Sequence, residues 1–415
     1  MIHAKNFVQS EKFQRDHLDI YPDPNYVYST DENEEKNSNF IIHNYGVEGG
    51  PVVVQLAGHD ADIMCRAADR IISLTEGQID GIDINLGCPQ SIARKGRYGA
   101  FLMLEEGDIM YNIMRQMRAA LPRDIALSAK IRVVANDDDQ SSVLLDKVHR
   151  MQEAGIDLLT VHGRTVKENK TAVRGCNWDK IRLVVDALDI PVVANGGIEY
   201  ASDVVRCIEA TGAVGVMSSE ALLENPSLFA ASASAGDGDG AKTNTDDCEL
   251  TGRALMERQF RLAEEYLHLA KEHPPLSGSL GRNGVHAVVK SHIFKMLYRF
   301  IDEHHDIRDQ LGNSRETYNM EHIMALVKEL KGRYYVESSS SSLSSSCSKD
   351  ALVYTVDSSW YRRHPRTGGN DDPNGVVAAQ SMDDKKAAIR ERILKMKQKR
   401  EVTTSRSTAA AAAAV

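Results

Sequence analysis

The run from Asp80 to Leu104 reads DGIDINLGCPQSIARKGRYGAFLML, an apolar strand that ends on a cysteine and opens into a glycine-rich, basic loop. Cys88 stands at the strand's end, closed off by Gly87 and Pro89, with Gly96, Gly99 and the cations Arg94 and Lys95 just beyond. A thiol held there beside backbone amides and positive charge has a tunable pKa, which suits it to act as an acid or a nucleophile. The alternative is a small core residue capping a strand, because free cysteine is among the most buried residue types.

Further apolar segments end in the same way. Their polar ends are Gln55, Lys130 with Arg132, His162 with Arg164, Asn195 with Gly196 and Gly197, and Ser218 to Glu220. Each has a bland reading: Lys130 in an ion pair, His162 as a satisfied core histidine, Asn195-Gly196-Gly197 as a plain turn. Together they form a coherent ring of hydrogen-bonding and titratable groups that buried strand ends do not need structurally. The glycine pair followed by Ser218 and Ser219 suits a phosphate cradle of backbone N–H groups, as in the last two loops of α/β barrels. No Walker loop and no GxGxxG fingerprint accompanies it.

The elements that must position these groups alternate. Strands are expected at Val52–Gly58, Ile79–Leu86, Ala126–Val133, Leu158–Arg164, Pro191–Ile198 and Gly215–Leu222. Helices are expected after caps at Asp60 and Ser202, and over Asp108–Leu121, Ser142–Ala154 and Trp178–Leu188. Strands that are apolar on both faces and alternate with helices imply a parallel sheet with covered faces, an α/β fold of the (β/α)8 TIM-barrel type with its chemistry at the polar strand ends.

In the order and spacing of its motifs the chain resembles the tRNA-dihydrouridine synthases, a family of FMN-dependent oxidoreductases. The resemblance rests on Asn85-Leu86-Gly87-Cys88-Pro89, Lys95-Gly96 through Gly99-Ala100, Ala129-Lys130-Ile131-Arg132, Val161-His162-Gly163-Arg164-Thr165, Asn195-Gly196-Gly197 and Asn225-Pro226, and runs to about Phe229. The opening MIHAKNF, NLGCPQ and YGAFL look most like the branch modifying uridines 16 and 17 of the tRNA D-loop. The resemblance implies a ping-pong reaction in which NADPH or NADH reduces FMN, and hydride then passes to C6 of a flipped-out uracil. It makes Cys88 the acid at C5, and it assigns Gln55, Lys130, His162, Asn195, Gly196, Gly197, Ser219 and Glu220 to FMN. Asn85, Arg164, Arg94 and Lys95 would meet the substrate, and no metal is implied. Two other readings stay open: a tRNA-binding relative without flavin, and an FMN oxidoreductase acting on a free pyrimidine.

The chain departs from that family at its start. Six strand segments are legible where a (β/α)8 barrel needs eight, and relatives carry two strands upstream; a barrel incomplete at its N-terminus, from a misassigned start or a fragment, is the expectation. The barrel domain is placed at 1–232, a Gly, Ala, Asp and Thr-rich linker at 233–249, a helical tRNA-binding domain at 250–335 and a disordered tail at 336–415. Helices are expected there at Leu250–His273, Val285–His304 and Arg315–Lys331, with a flexible insert at Ser277–Gly284. Lys290, His292, Lys295 and Arg299 recur at helical spacing as a basic stripe, which is either a phosphate contact or a solvated face. The tail holds a serine run, a terminal alanine run and a basic segment, KKAAIRERILKMKQKR, at Lys385–Arg400.

The 415 residues carry a net charge of −9, which argues against indiscriminate nucleic-acid binding, although local basic clusters govern phosphate contacts. The six cysteines show no CxxC pair or ligand cluster, so neither zinc nor a disulfide framework is indicated and a reducing compartment follows. With no membrane-length apolar run and no signal-peptide core, a cytoplasmic monomer is expected, with the nucleus as the other compartment.

Overall fold

The computed structural model describes residues 1–18, 52–134, 141–168, 175–230, 252–272, 286–312 and 320–339. The expected linker, the 277–284 insert and the tail beyond 339 lie outside the described residues. A seven-stranded sheet, entirely parallel and ordered as in the chain, forms the larger part. The expected six strands are corrected to seven, because Ile2–His3 forms a first strand, β1, laddered onto Leu56 and Ala57. Two short helices follow, α1 (Ala4–Gln9) and α2 (Glu11–His17). The alternation then runs β2 (Val53–Ala57), α3 (Ala61–Leu74), β3 (Gly81–Leu86), α4 (Ser91–Lys95), α5 (Ala100–Glu105), α6 (Gly107–Ala120) and β4 (Ala126–Arg132). It continues with α7 (Ser141–Glu153), β5 (Leu158–His162), α8 (Trp178–Ala187), β6 (Val192–Asn195), α9 (Ala201–Thr211), β7 (Gly215–Met217) and α10 (Glu220–Glu224). The sequential parallel order is the wall of a TIM barrel.

Local chemistry explains the helices. The Asp60 side chain accepts the Ile63 N–H at 2.9 Å and starts α3, a cap typically worth about 1 kcal/mol. From there Met64, Ala67, Ala68 and Ile71 recur on one buried face. The expected Ser202 cap is corrected: Tyr200 holds the cap position of α9, and the Asp203 carboxylate accepts the Glu199 and Tyr200 N–H groups at 3.0 Å each. Both N–H groups meet the same carboxylate oxygen, and its negative charge strengthens these bonds and favours the positive end of the helix dipole.

The strands also differ from expectation. One face is apolar and packs beneath the helices: Leu56, Ile82, Ile84, Leu86, Leu127, Ala129, Ile131, Leu159, Val161, Val192 and Ala194 are all buried. The other, inner face carries Gln55, Asp83, Asn85, Ser128, Lys130, Arg132, Thr160, His162 and Asn195, which the register sets side by side. The sheet is thus apolar on one face rather than both, because the two-residue period of a strand sends alternate side chains to opposite sides.

A second core is helical. It is built by α11 (Gly252–Glu272), α12 (His286–Met296), α13 (Tyr298–Glu303), α14 (His305–Gly312) and α15 (Met320–Ser339) around Phe260, Ile293, Leu297, Phe300, Ile301 and Leu330. Here the single helix expected over Val285–His304 is broken at Leu297, whose φ of −112° and ψ of 23° leave the helical region. Gln259, only 1% exposed, donates to the Glu224 carbonyl of α10 at 3.4 Å and the Met296 carbonyl of α12 at 3.0 Å, joining the two cores. Among the described helices none is long and apolar enough to cross a membrane.

Candidate active site

The C-terminal ends of β4 to β7 surround a cavity of about 290 Å³ lined by Lys130, Arg132, His162, Arg164, Asn195 to Glu199 and Met217 to Ala221, with Glu168 at its side. Of the residues singled out in the sequence, Lys130, His162, Arg164, Asn195, Gly196, Gly197, Ser219 and Glu220 all meet there. Gln55, Asn85 and Cys88 do not line it; they stand on the adjoining strand ends.

Backbone shape makes the cavity's floor. Gly196 and Gly197 have φ of +97° and +77°, in the left-handed region that L side chains rarely adopt. A Cβ on Gly196 would lie 2.7 Å from His162 Cδ2 and 2.9 Å from the Cys176 Sγ beneath. The Trp178 indole N–H holds the Gly196 carbonyl at 3.1 Å, and Asn195 Nδ2 donates to the Met217 carbonyl at 2.9 Å, so the loop is braced from both sides. Ser218 Oγ donates to the Ile198 carbonyl at 2.9 Å, while Ser219 and Glu220 are exposed at the rim.

The end of the cavity at β4 and β5 gathers the cations Lys130, Arg132 and Arg164. Burial, reinforced by Arg132, brings Lys130 down to about 8, with Asp83 and Cys176 acting in the opposite direction. Burial and then Arg164 also lower Arg132. Lys130, Arg132 and Arg164 share the lining with Glu168, Glu199 and Glu220, and Glu168 offsets part of the mutual repulsion around Arg132. Arg164 Nη1 and His162 Nε2 are 3.4 Å apart. Cys176, which the sequence reading passed over, lies close to these cations, yet burial pushes its thiol up to about 11 and it stays neutral. Its proximity was invisible in sequence because it belongs to no strand.

Arg132 connects this cavity to the cysteine. Its Nε donates to the Gly87 carbonyl at 2.9 Å and its Nη1 to the Thr165 carbonyl at 3.1 Å, tying the loops after β3 and β5 together. Cys88 is half-buried beside Ala57, Ala93, Tyr98 and Phe101. Its carbonyl accepts the Ala100 N–H at 3.2 Å, and Gly99, with φ +67°, permits that approach because a Cβ there would sit 2.8 Å from the same oxygen. Asn85 Oδ1 accepts the Cys88 N–H at 3.1 Å and the Gly87 N–H at 3.3 Å. Asn85 Nδ2 donates in turn to Gln55 Oε1 at 2.8 Å, and Gln55 Nε2 to Asp83 Oδ2 at 2.8 Å. Both ends of the Gln55 amide are therefore engaged within the protein. Asp83 and Ser128 were not singled out in the sequence, and Arg132 was named there as a polar strand end without an assigned role. Their spacing two apart from Asn85 and Lys130 was the available signal, since it places them on the same strand face.

The remaining candidates stand apart from the cavity. Arg94 and Lys95 are exposed at the end of α4; Arg94 pairs with Glu105 at 3.3 Å and lies 5.4 Å from the Phe101 ring centre. The expected stripe of four cations divides between two helices, with Lys290, His292 and Lys295 on α12 and Arg299 on α13. His292 Nδ1 meets the Tyr266 hydroxyl at 2.6 Å and is held below its ordinary pKa by burial, then Lys295; Arg299 pairs with Glu303 at 3.3 Å. Lys290 and Lys295 are half-buried and form no ion pair among the described residues.

A family model described as dihydrouridine synthase matches residues 1–276. A rat protein named tRNA-dihydrouridine(16/17) synthase [NAD(P)(+)]-like is 33% identical over 337 residues, 80% of this chain and 60% of its own length. Its counterpart in Saccharomyces cerevisiae, tRNA-dihydrouridine(16/17) synthase [NAD(P)(+)], is 33% identical over 323 residues, 77% of this chain and 63% of its own length. A tRNA-dihydrouridine(16) synthase of Cupriavidus necator is 31% identical over 195 residues, 47% of this chain and 58% of its own length. The chain thus spans about 60% of the length of these relatives. With the polar cavity, the glycine floor and the cysteine turn falling inside the matched region, the chain belongs to the dihydrouridine synthase family.

Proposed function

We propose that this chain carries the catalytic domain of an FMN-dependent tRNA-dihydrouridine synthase, driven by NADPH or NADH and acting on D-loop uridines at positions 16 and 17. The observation that carries this reading is the coupling of the polar cavity to the Cys88 turn through Arg132. The names of the relatives support the substrate and the nicotinamide.

The residues present fit FMN. Its phosphate needs backbone donors and room that a side chain would fill, which Gly196 and Gly197 supply beside Ser219. Its ring needs a cation that can stabilise added negative charge, and Lys130, titrating near neutral pH, suits that role with His162 beside it. When bound, FMN supplies a hydride for C6 of the uracil. The protein's own residues do the rest. Lys130 holds positive charge at the cavity floor. Arg132 fixes the distance between that floor and the thiol. The Cys88 Sγ–H, half-buried beside the loop after β3, supplies the proton to C5. A uracil reaches this site only after extrusion from its loop, and we assign Arg164, which lines the cavity wall, to its carbonyl.

The purified chain, incubated with FMN, NADPH and an unmodified tRNA transcript, is expected to form dihydrouridine, read by nucleoside mass spectrometry. In Cys88→Ala the yield should fall on the order of a hundredfold or more while NADPH still reduces the flavin. Undiminished product would remove Cys88 as the acid, and a chain that takes up no FMN would sink the reading.

A further inference from the structure

We propose that Asp83 is a positioning residue: it sets the direction of the Gln55–Asn85 amide pair and, through it, the posture of the Cys88 turn. Its meaning for catalysis rests on the functional reading above.

The register places Gln55, Asp83 and Ser128 abreast on three neighbouring strands, with Asn85 two residues along on the same inner face. Asp83 is 7% exposed. A carboxylate only accepts hydrogen bonds, so whatever faces it must donate. Ser128 Oγ donates to Oδ1 at 2.7 Å, and Gln55 Nε2 to Oδ2 at 2.8 Å. Turning its NH2 toward Asp83 forces Gln55 to present Oε1 on the other side, where Asn85 Nδ2 donates at 2.8 Å. That uses the donor end of Asn85 and leaves Oδ1 for the Gly87 and Cys88 N–H groups. Each member of the series has one orientation, and the series ends on the residue that bears the thiol rather than on regular secondary structure. A buried carboxylate is an expensive way to fill a sheet position, and an apolar side chain would serve packing alone better. Lys130, opposite Asn85 in the ladder, adds the electrostatic link from Asp83 to the cavity.

The test is the rate of Cys88 alkylation by iodoacetamide across pH, measured by peptide mass spectrometry, with Cys65, on α3 away from the Asp83 series, as the reference. In Asp83→Leu the Cys88 rate should change by roughly tenfold, the scale of one buried donor left without its acceptor, while Cys65 keeps its own. Asp83→Asn should change it less, because the introduced amide can still turn its oxygen toward Gln55. The double variant Asp83→Asn with Gln55→Glu should restore the parent profile: the introduced carboxylate accepts from both the new amide and Asn85, so the direction of the series returns. Should Asp83→Leu fail to fold, the other two variants decide. An unchanged Cys88 profile in Asp83→Asn and Asp83→Leu, or no restoration in the double variant, overturns the assignment. None of these rates needs flavin, nicotinamide or tRNA. Alkylation as expected in a chain that makes no dihydrouridine would uphold Asp83 and sink the functional reading, and the reverse pattern would do the opposite.

Discussion

Replacing Lys130 with methionine should stabilise the flavin-free protein. Lys130 is hemmed in on the inner face between Asn85 and Thr160, its ladder partners, and burial brings its pKa from the ordinary 10.5 down to about 8. At 1.36 kcal/mol per pKa unit, keeping it charged in the fold costs on the order of 3 kcal/mol. The sign follows from proton binding. Between about 8 and 10.5 the unfolded state binds the proton and the folded state does not, so stability rises with pH in that window. Below it the cost is present in full, and above it the cost is gone. Methionine fills a similar volume without charge, so at pH 7 the variant should melt roughly 6–12 °C higher, at about 2–4 °C per kcal/mol for a domain of this size. By pH 10 the gain should shrink to a degree or two, on the order of what the residual charge imposes. Differential scanning calorimetry of stripped parent and variant from pH 7 to pH 10 reads both numbers. A variant no more stable at pH 7, or a gain that does not decline with pH, would refute the reasoning. The same variant should bind FMN more weakly, which would show the charge retained for its ligand at the expense of the empty fold.

Two further outcomes follow from the geometry. Gly196→Ala places a Cβ 2.7 Å from His162 at a φ of +97°, so FMN affinity should drop at least roughly tenfold and stability by about 1–3 kcal/mol; a fluorescence titration with parent-like affinity would contradict the cradle. Gln259→Leu strips the donor from the Glu224 and Met296 carbonyls between the two cores and should lower stability by about 1–3 kcal/mol, bringing out a separate transition for α11–α15 in urea; a single, unmoved transition would count against the bridge.

The alternation of strand and helix, the polar strand ends and the cysteine turn were legible because they are written locally, in periods of two and 3.6 and in the placement of glycine and proline. Gathering Lys130, His162, Arg164, Asn195, Gly196, Gly197, Ser219 and Glu220 around one cavity follows directly from parallel strands all ending on the same side. The strand at Ile2–His3 was missed because two residues carry no period; only the ladder to Leu56 and Ala57 defines it. Helical spacing in the basic stripe reports a shared face and not the partners across from it; the structure adds that Tyr266 meets His292 on α12 and that Glu303 pairs with Arg299 on α13. For Gln55 the register adds what spacing could not show, that Asp83 and Asn85 stand on either side of its amide. By itself the sequence determined which residues reach the end of the sheet that carries the chemistry. The tertiary structure alone decided which of them face the cavity, which hold one another in place, and that Arg132 spans the gap to the cysteine, because lateral register between strands comes from packing of the whole sheet and leaves no mark on any one segment.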